Sequence, residues 1–218
     1  MAAPAPESTS WESPNKHALH TFEENVTLDP KTAHPNLVLC KKRKYVTSVH
    51  PPQDLPDNPK RFDTVPCVLG SEGFTSRKHY WEVVVGNQRE WAVGVARDSV
   101  RRKGSVQLTP EERIWALGRW WVGYGSVLDP RVGSGSSASE HREDEAHETE
   151  HRGEHTEAAH LLSGYEGAET IGVLLEYGKG KVTFYEQDKV TIMRVDFGGE
   201  EVFPFFYVGP GVHLKVIP

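Results

Sequence analysis

Two overlapping stretches near the middle of the chain carry residues at metal-ligand spacing. HETEH, His147 to His151, sets two imidazoles four residues apart with Glu148 between them. On a helix that spacing turns both rings to one side, where they could hold zinc with Glu148 as general base. HRGEH, His151 to His155, has the inverted order. A zinc-binding helix needs apolar neighbours that fix it, exclude water and lower the pKa of the bound water. Here the neighbours are Glu, Asp, Arg, Thr and Gly. Between Glu140 and His160 stand eight acidic residues, five histidines, two arginines and no large apolar side chain. Both matches follow from that composition. The stretch buries too little surface to offset the entropy of ordering it, and it reads as a disordered acidic loop. His147, His151 and His155 are weak candidates for adventitious zinc or nickel, and no cofactor is expected.

Other catalytic signatures are missing. There is no GxSxG and no P-loop, and GYGS and GSGSS sit in loop text with no following helix. Cys40 and Cys67 lie in apolar runs, LVLC and VPCVL, and read as buried free thiols. The carboxylates are dispersed or gathered in the acidic loop, so no pair can be placed across a sugar ring. The chain does not read as an enzyme. Its net charge of −6 argues against nucleic-acid binding. The basic run RDSVRRKG, residues 97–104, has no second basic patch with aromatic platforms beside it and reads as a solvated turn.

Protein recognition is the better-supported chemistry. IWALGRWWVGYG places three tryptophans and a tyrosine within a few residues of one another. Alternation puts Trp115 and Leu117 on one side of a strand, and Ala116, Gly118 and Trp120 on the other. Trp120 and Trp121 then point to opposite faces, and a two-layer fold cannot easily bury both. An exposed tryptophan beside Arg119 and Tyr124 has the composition of an interface hot spot.

The elements that must position these residues are short strands. NLVLC, KYVTSV, CVLG, HYWEVVVG, EWAVGVA and SVQLT are strand-sized and separated by Gly, Pro, Asn and Asp. In YWEVVVG, Trp81, Val83 and Val85 alternate with Tyr80, Glu82 and Val84, giving one apolar and one mixed face. Trp91, Val93 and Val95 read as core, with Gly94 permitting close sheet packing. Gly178-Lys179-Gly180 marks a hairpin. No long helical periodicity appears. At 218 residues the chain suits a single all-β domain, a two-layer antiparallel β-sandwich, with tails. Residues 1–24 read as a flexible leader, and 133–162 as the acidic insert.

VTLDPKTAHPNLVL, LPDNPKRFDTVPCVLGSEGFTSRKHYWEVVVG, EWAVGVARDSVRRKG and GVLLEYGKGKVTFY with PFFYVGPG together resemble a PRY-SPRY domain. That domain ends many tripartite-motif ubiquitin ligases and butyrophilins. QREWAVGVARDSVRRKG, PEERIWALGRWW and GGEEVFPFFYVG are most similar to the vespryn (ohanin-like) branch. The resemblance implies a concanavalin-like jelly roll with a PRY portion at 25–72 and a SPRY portion at 73–218. It implies binding of a partner protein or peptide by loops at one end of the sandwich. It places Asp98 on the pocket rim, Trp120 among the pocket aromatics, and Arg61, Phe62 and Pro210 on other pocket-lining loops. The amino-terminal stretch lacks the apolar core of a signal peptide, and no run is long enough for a membrane span. The expected location is cytoplasmic, with secretion the alternative if a leader precedes the chain.

Overall fold

The computed structural model describes residues 16–86, 88–120, 169–187 and 189–218. Strands are numbered in chain order, and all pair antiparallel. The larger sheet runs β1 (Leu37–Cys40), β2 (Tyr45–Ser48), β11 (His213–Ile217), β4 (Lys78–Val84), β7 (Thr170–Glu176), β8 (Lys181–Tyr185), β9 (Val190–Arg194). The smaller runs β3 (Cys67–Leu69), β10 (Val202–Val208), β5 (Trp91–Arg97), β6 (Ile114–Arg119). The two-layer sandwich expected from the alternating runs is therefore present.

The alternation resolves into faces. Trp81 and Val83 from the larger sheet meet Trp91, Val93, Val95, Trp115 and Leu117 from the smaller in one buried cluster. The intervening residues of the smaller sheet point outward, but they too are buried. Ala92, Ala96, Ile114, Ala116, Phe205 and Tyr207 are roofed by Phe62, Val65, Val100, Val106 and Leu108 from two long loops. Each large apolar side chain buried in that roof stabilises by about 1.5–3 kcal/mol. SVQLT belongs to this roof and is not a strand. Val106 and Leu108 alternate because they reach down onto a sheet, with no ladder of their own.

Two further sequence expectations change. Within the stretch read as a flexible leader, Lys16–His20 form helix α1. Leu19 is buried against Tyr80 and Leu174, so α1 covers part of the outer face of the larger sheet. Gly94 makes its close approach within its own sheet: an added Cβ would lie 2.1 Å from the Trp115 carbonyl oxygen on the paired strand. The hairpin at 178–180 is present, with Gly180 at φ +56 closing the turn between β7 and β8.

Candidate partner-binding site

The strand register decides which loops share an end of the sandwich. Trp91 pairs with both Arg119 and Val208, so the start of β5, the end of β6 and the end of β10 are level. The turns around Gln88 and Pro210 therefore emerge beside Arg119 and Trp120. These turns are fastened. Gln88 Nε2 donates to the carbonyls of Val85 and His213, and Gln88 Oε1 accepts from the His213 amide at 2.7 Å. The Gly209 amide donates to the Glu90 carbonyl at 2.8 Å.

Trp120 leaves β6 on the outer side of the smaller sheet, as alternation requires. It is partly buried and packs on the roofed cluster. Arg119 is exposed and reaches the Glu169 carboxylate at 3.4 Å, so a residue of the smaller sheet is tied to the one preceding β7. Trp121 and Tyr124 lie outside the described residues, as do His147, His151 and His155. Among the described residues no group of His, Cys, Asp and Glu side chains could hold a metal ion.

At the same end a cavity of about 520 Å³ opens between the two halves of the chain. His34, Asn36, Ser48, His50, Thr64 and Pro66 line it from one half, and Val208, Pro210 and Gly211 from the other. Its volume lies in the range of small-ligand and peptide side-chain sites. Burial holds the His34 imidazole below its ordinary pKa, against the opposing pull of Asp63. Its Nδ1 accepts from the Asn36 amide at 3.0 Å and its Nε2 faces the Asp63 carbonyl at 3.1 Å. A carbonyl can only accept, so the proton sits on Nε2. The lining is thus polar but uncharged around His34, and suits a neutral group.

The other sequence candidates fall elsewhere. Arg61 is buried, and its guanidinium donates to the carbonyls of Pro56, Pro30 and Ala33 at 3.1, 3.0 and 2.6 Å. Phe62 is buried in the roof with the Arg102 guanidinium over its ring. Both build the loop that covers the sheet, and neither presents a surface to a partner. Asp98 is exposed and pairs with Arg102 at 3.3 Å, but it follows the far end of β5, a strand length of about 20 Å from Trp120. Pro210 is exposed on the cavity rim. His34, Asn36, Thr64 and Pro66 fall in stretches that carry the family resemblance, but nothing in the sequence singles them out as lining a cavity. Only the fold brings them to the turn at Pro210.

Comparison with known proteins agrees with this architecture. A family model described as the SPRY-associated domain matches residues 26–74, and one described as the SPRY domain matches 78–218. The chain is 42% identical over 193 residues to the ohanin-like protein of Lachesis muta muta, covering 88% of this chain and 74% of that one. It is 36% identical over 195 residues to butyrophilin subfamily 1 member A1 of Mus musculus, covering 88% of this chain and 31% of that one. Among solved structures, the crystal structure of the TRIM65 PSpry domain superposes with a TM-score of 0.61 at 17% identity, covering 99% of this chain and all of that one.

Proposed function

Because this chain belongs to the PRY-SPRY family, we propose that it is a non-enzymatic recognition module that holds a partner protein or peptide at one end of the sandwich. The observation that carries this reading is the level placement of Trp120, Arg119 and the Pro210 turn at the end of the sandwich where a 520 Å³ cavity, lined in part by Pro210, opens. Trp120 supplies a large ring with a polar edge, Arg119 a planar donor, and the cavity a recess for a neutral side chain of the partner. Trp121 and Tyr124, next along the chain, are carried into this reading from the sequence alone. Arg61 and Phe62 support the loop from beneath, and Asp98 stands outside the site.

The test compares Trp120→Ala and Pro210→Ser with the parent chain in partner capture and in thermal melting. Loss of a captured partner with melting temperature held within a few degrees supports the reading. Unfolding in step with loss of binding would make Trp120 a packing residue instead.

A second reading, a secreted effector acting on an extracellular receptor, is favoured by the 42% identity to the ohanin-like protein over most of both chains. A signal sequence upstream in the transcript would support it. A RING and coiled coil upstream would support the targeting role in a ubiquitin ligase.

A further inference from the structure

The hairpin between β1 and β2 turns through four basic residues, Lys41-Lys42-Arg43-Lys44, in a chain whose net charge is −6. Three of them hold left-handed backbone: Lys41 at φ 47, Lys42 at φ 59 and Arg43 at φ 63. Residues with a Cβ avoid that region, and it persists only where the surroundings impose it. They do so here. The Leu28 amide donates to the Arg43 carbonyl at 2.9 Å, the Val216 amide to the Lys44 carbonyl at 2.8 Å, and the Lys44 ammonium to the Val26 carbonyl at 2.5 Å. Lys44 is thereby turned inward and half-buried, while Lys41, Lys42 and Arg43 are exposed.

A fifth cation joins them. Tyr45 pairs directly with Lys215 across β2 and β11, and the ammonium groups of Lys41 and Lys215 lie 4.7 and 5.5 Å from the centre of its ring. Lys78, Arg97, Arg101, Lys103 and Arg119 all lie beside carboxylates, but Lys41, Lys42, Arg43 and Lys215 have none among the described residues. Glu82, the one acidic residue in β2, β11 and β4, accepts the Tyr80 hydroxyl. Like charges gathered on a rigid turn without a counter-charge form a site that an external anion completes.

We propose that this knuckle binds a sulfated polysaccharide through its sulfate esters, on a surface separate from the partner site. The Arg43 fork matches a tetrahedral oxyanion, and the lysines supply point charges along a thin chain. The tip carries no apolar side chain to insert into a membrane. The Tyr45 ring lies under two ammonium groups, which leaves no platform for stacking bases. The net negative charge of the whole chain opposes approach to a broad anionic face, but not to a narrow flexible polyanion at one point. The knuckle lies at the opposite end of its hairpin from Ser48 and the cavity.

The experiment titrates the full chain with a heparin hexasaccharide, its desulfated counterpart, a short DNA duplex and phosphatidylserine vesicles. Heparin is expected to bind with a slope of log Kd against log salt of about 3–4 if four cations are engaged, taking the value known for phosphate polyanions. Lys42→Asn with Arg43→Asn, which keeps side chains tolerant of left-handed backbone, should weaken binding at least about tenfold and lower the slope by about 2. Arg194→Glu, an exposed cation on β9, should change it by less than about twofold. Equal binding of the desulfated chain, tighter binding of duplex or vesicles, or an equal loss with Arg194→Glu would overturn the proposal.

Discussion

Arg119 and Glu169 stand 3.4 Å apart, one ending a strand of the smaller sheet and the other preceding a strand of the larger. With the guanidinium 42% and the carboxylate 17% exposed, water screens the pair substantially. A double-mutant cycle on Arg119→Ala and Glu169→Ala should give a coupling of about 0.2–1 kcal/mol in urea unfolding, and it should shrink as salt is raised. A salt-insensitive coupling of several kcal/mol would mean that the pair is far more enclosed than its exposure indicates.

A second carboxylate behaves differently. Glu176 is buried, with the ammonium groups of Lys78 and Lys179 each 3.1 Å away and that of Lys181 in contact as well. Burial alone would push its pKa up, but the hydrogen bonds from Lys181, Lys179 and Lys78 outweigh burial and hold it at about 2, against an ordinary 4.5. A depressed folded-state pKa adds stability above pH 4.5 that is lost as pH falls from there toward 2. With the lysine ends partly solvated, the contribution is about 1–3 kcal/mol. Urea midpoints for the parent and Glu176→Gln should therefore differ at pH 7 and converge near pH 2. A gap that stayed constant with pH would remove this carboxylate from the account.

Arg61 tests the roof over the smaller sheet. Arg61→Ala leaves the buried Ala33 carbonyl, and the more exposed Pro30 carbonyl, without their donor, at a cost of about 1–3 kcal/mol. Arg61→Lys cannot reproduce the fork that spans Pro56, Pro30 and Ala33, and should recover only part of that loss. Phe62→Ala should cost about 3–5 kcal/mol, as for a fully buried ring. Full recovery by lysine in denaturant titrations would show that the charge matters and the three-carbonyl geometry does not.

The parts of this protein that were legible in its sequence are those governed by period two. Trp91, Val93 and Val95, and Trp115 with Leu117, face the inter-sheet core as their alternation requires, and Trp120 leaves on the other side. Alternation has no memory of partners, so Val106 and Leu108 look like strand residues although they roof one. Arg61 looks like a surface charge because its acceptors Pro30 and Ala33 stand 31 and 28 positions away. The five-residue α1 rests on a single buried leucine, too little pattern to register. The cavity joins His34 to Pro210 through folding alone.

Gly94 shows how a right residue can carry a wrong reason. As a spacer between sheets it would tolerate a methyl group wherever the facing side chain could yield. Its Cβ would instead meet backbone: the Trp115 oxygen at 2.1 Å and the Ala116 Cα at 2.6 Å. Backbone in a paired strand cannot move aside without opening the β5–β6 ladder, so Gly94→Ala should cost about 1–3 kcal/mol or more. Gly104 offers the contrast. It has φ +76 and nothing within 4 Å of an added Cβ, so alanine there meets backbone strain alone, about 1–2 kcal/mol. Because β6 is the edge strand that ends at Arg119 and Trp120, displacing it should also weaken partner capture, while Gly104→Ala leaves capture intact. Thermal melts and capture assays on the two variants separate these outcomes, and equal melting temperatures with equal capture would place the strain elsewhere.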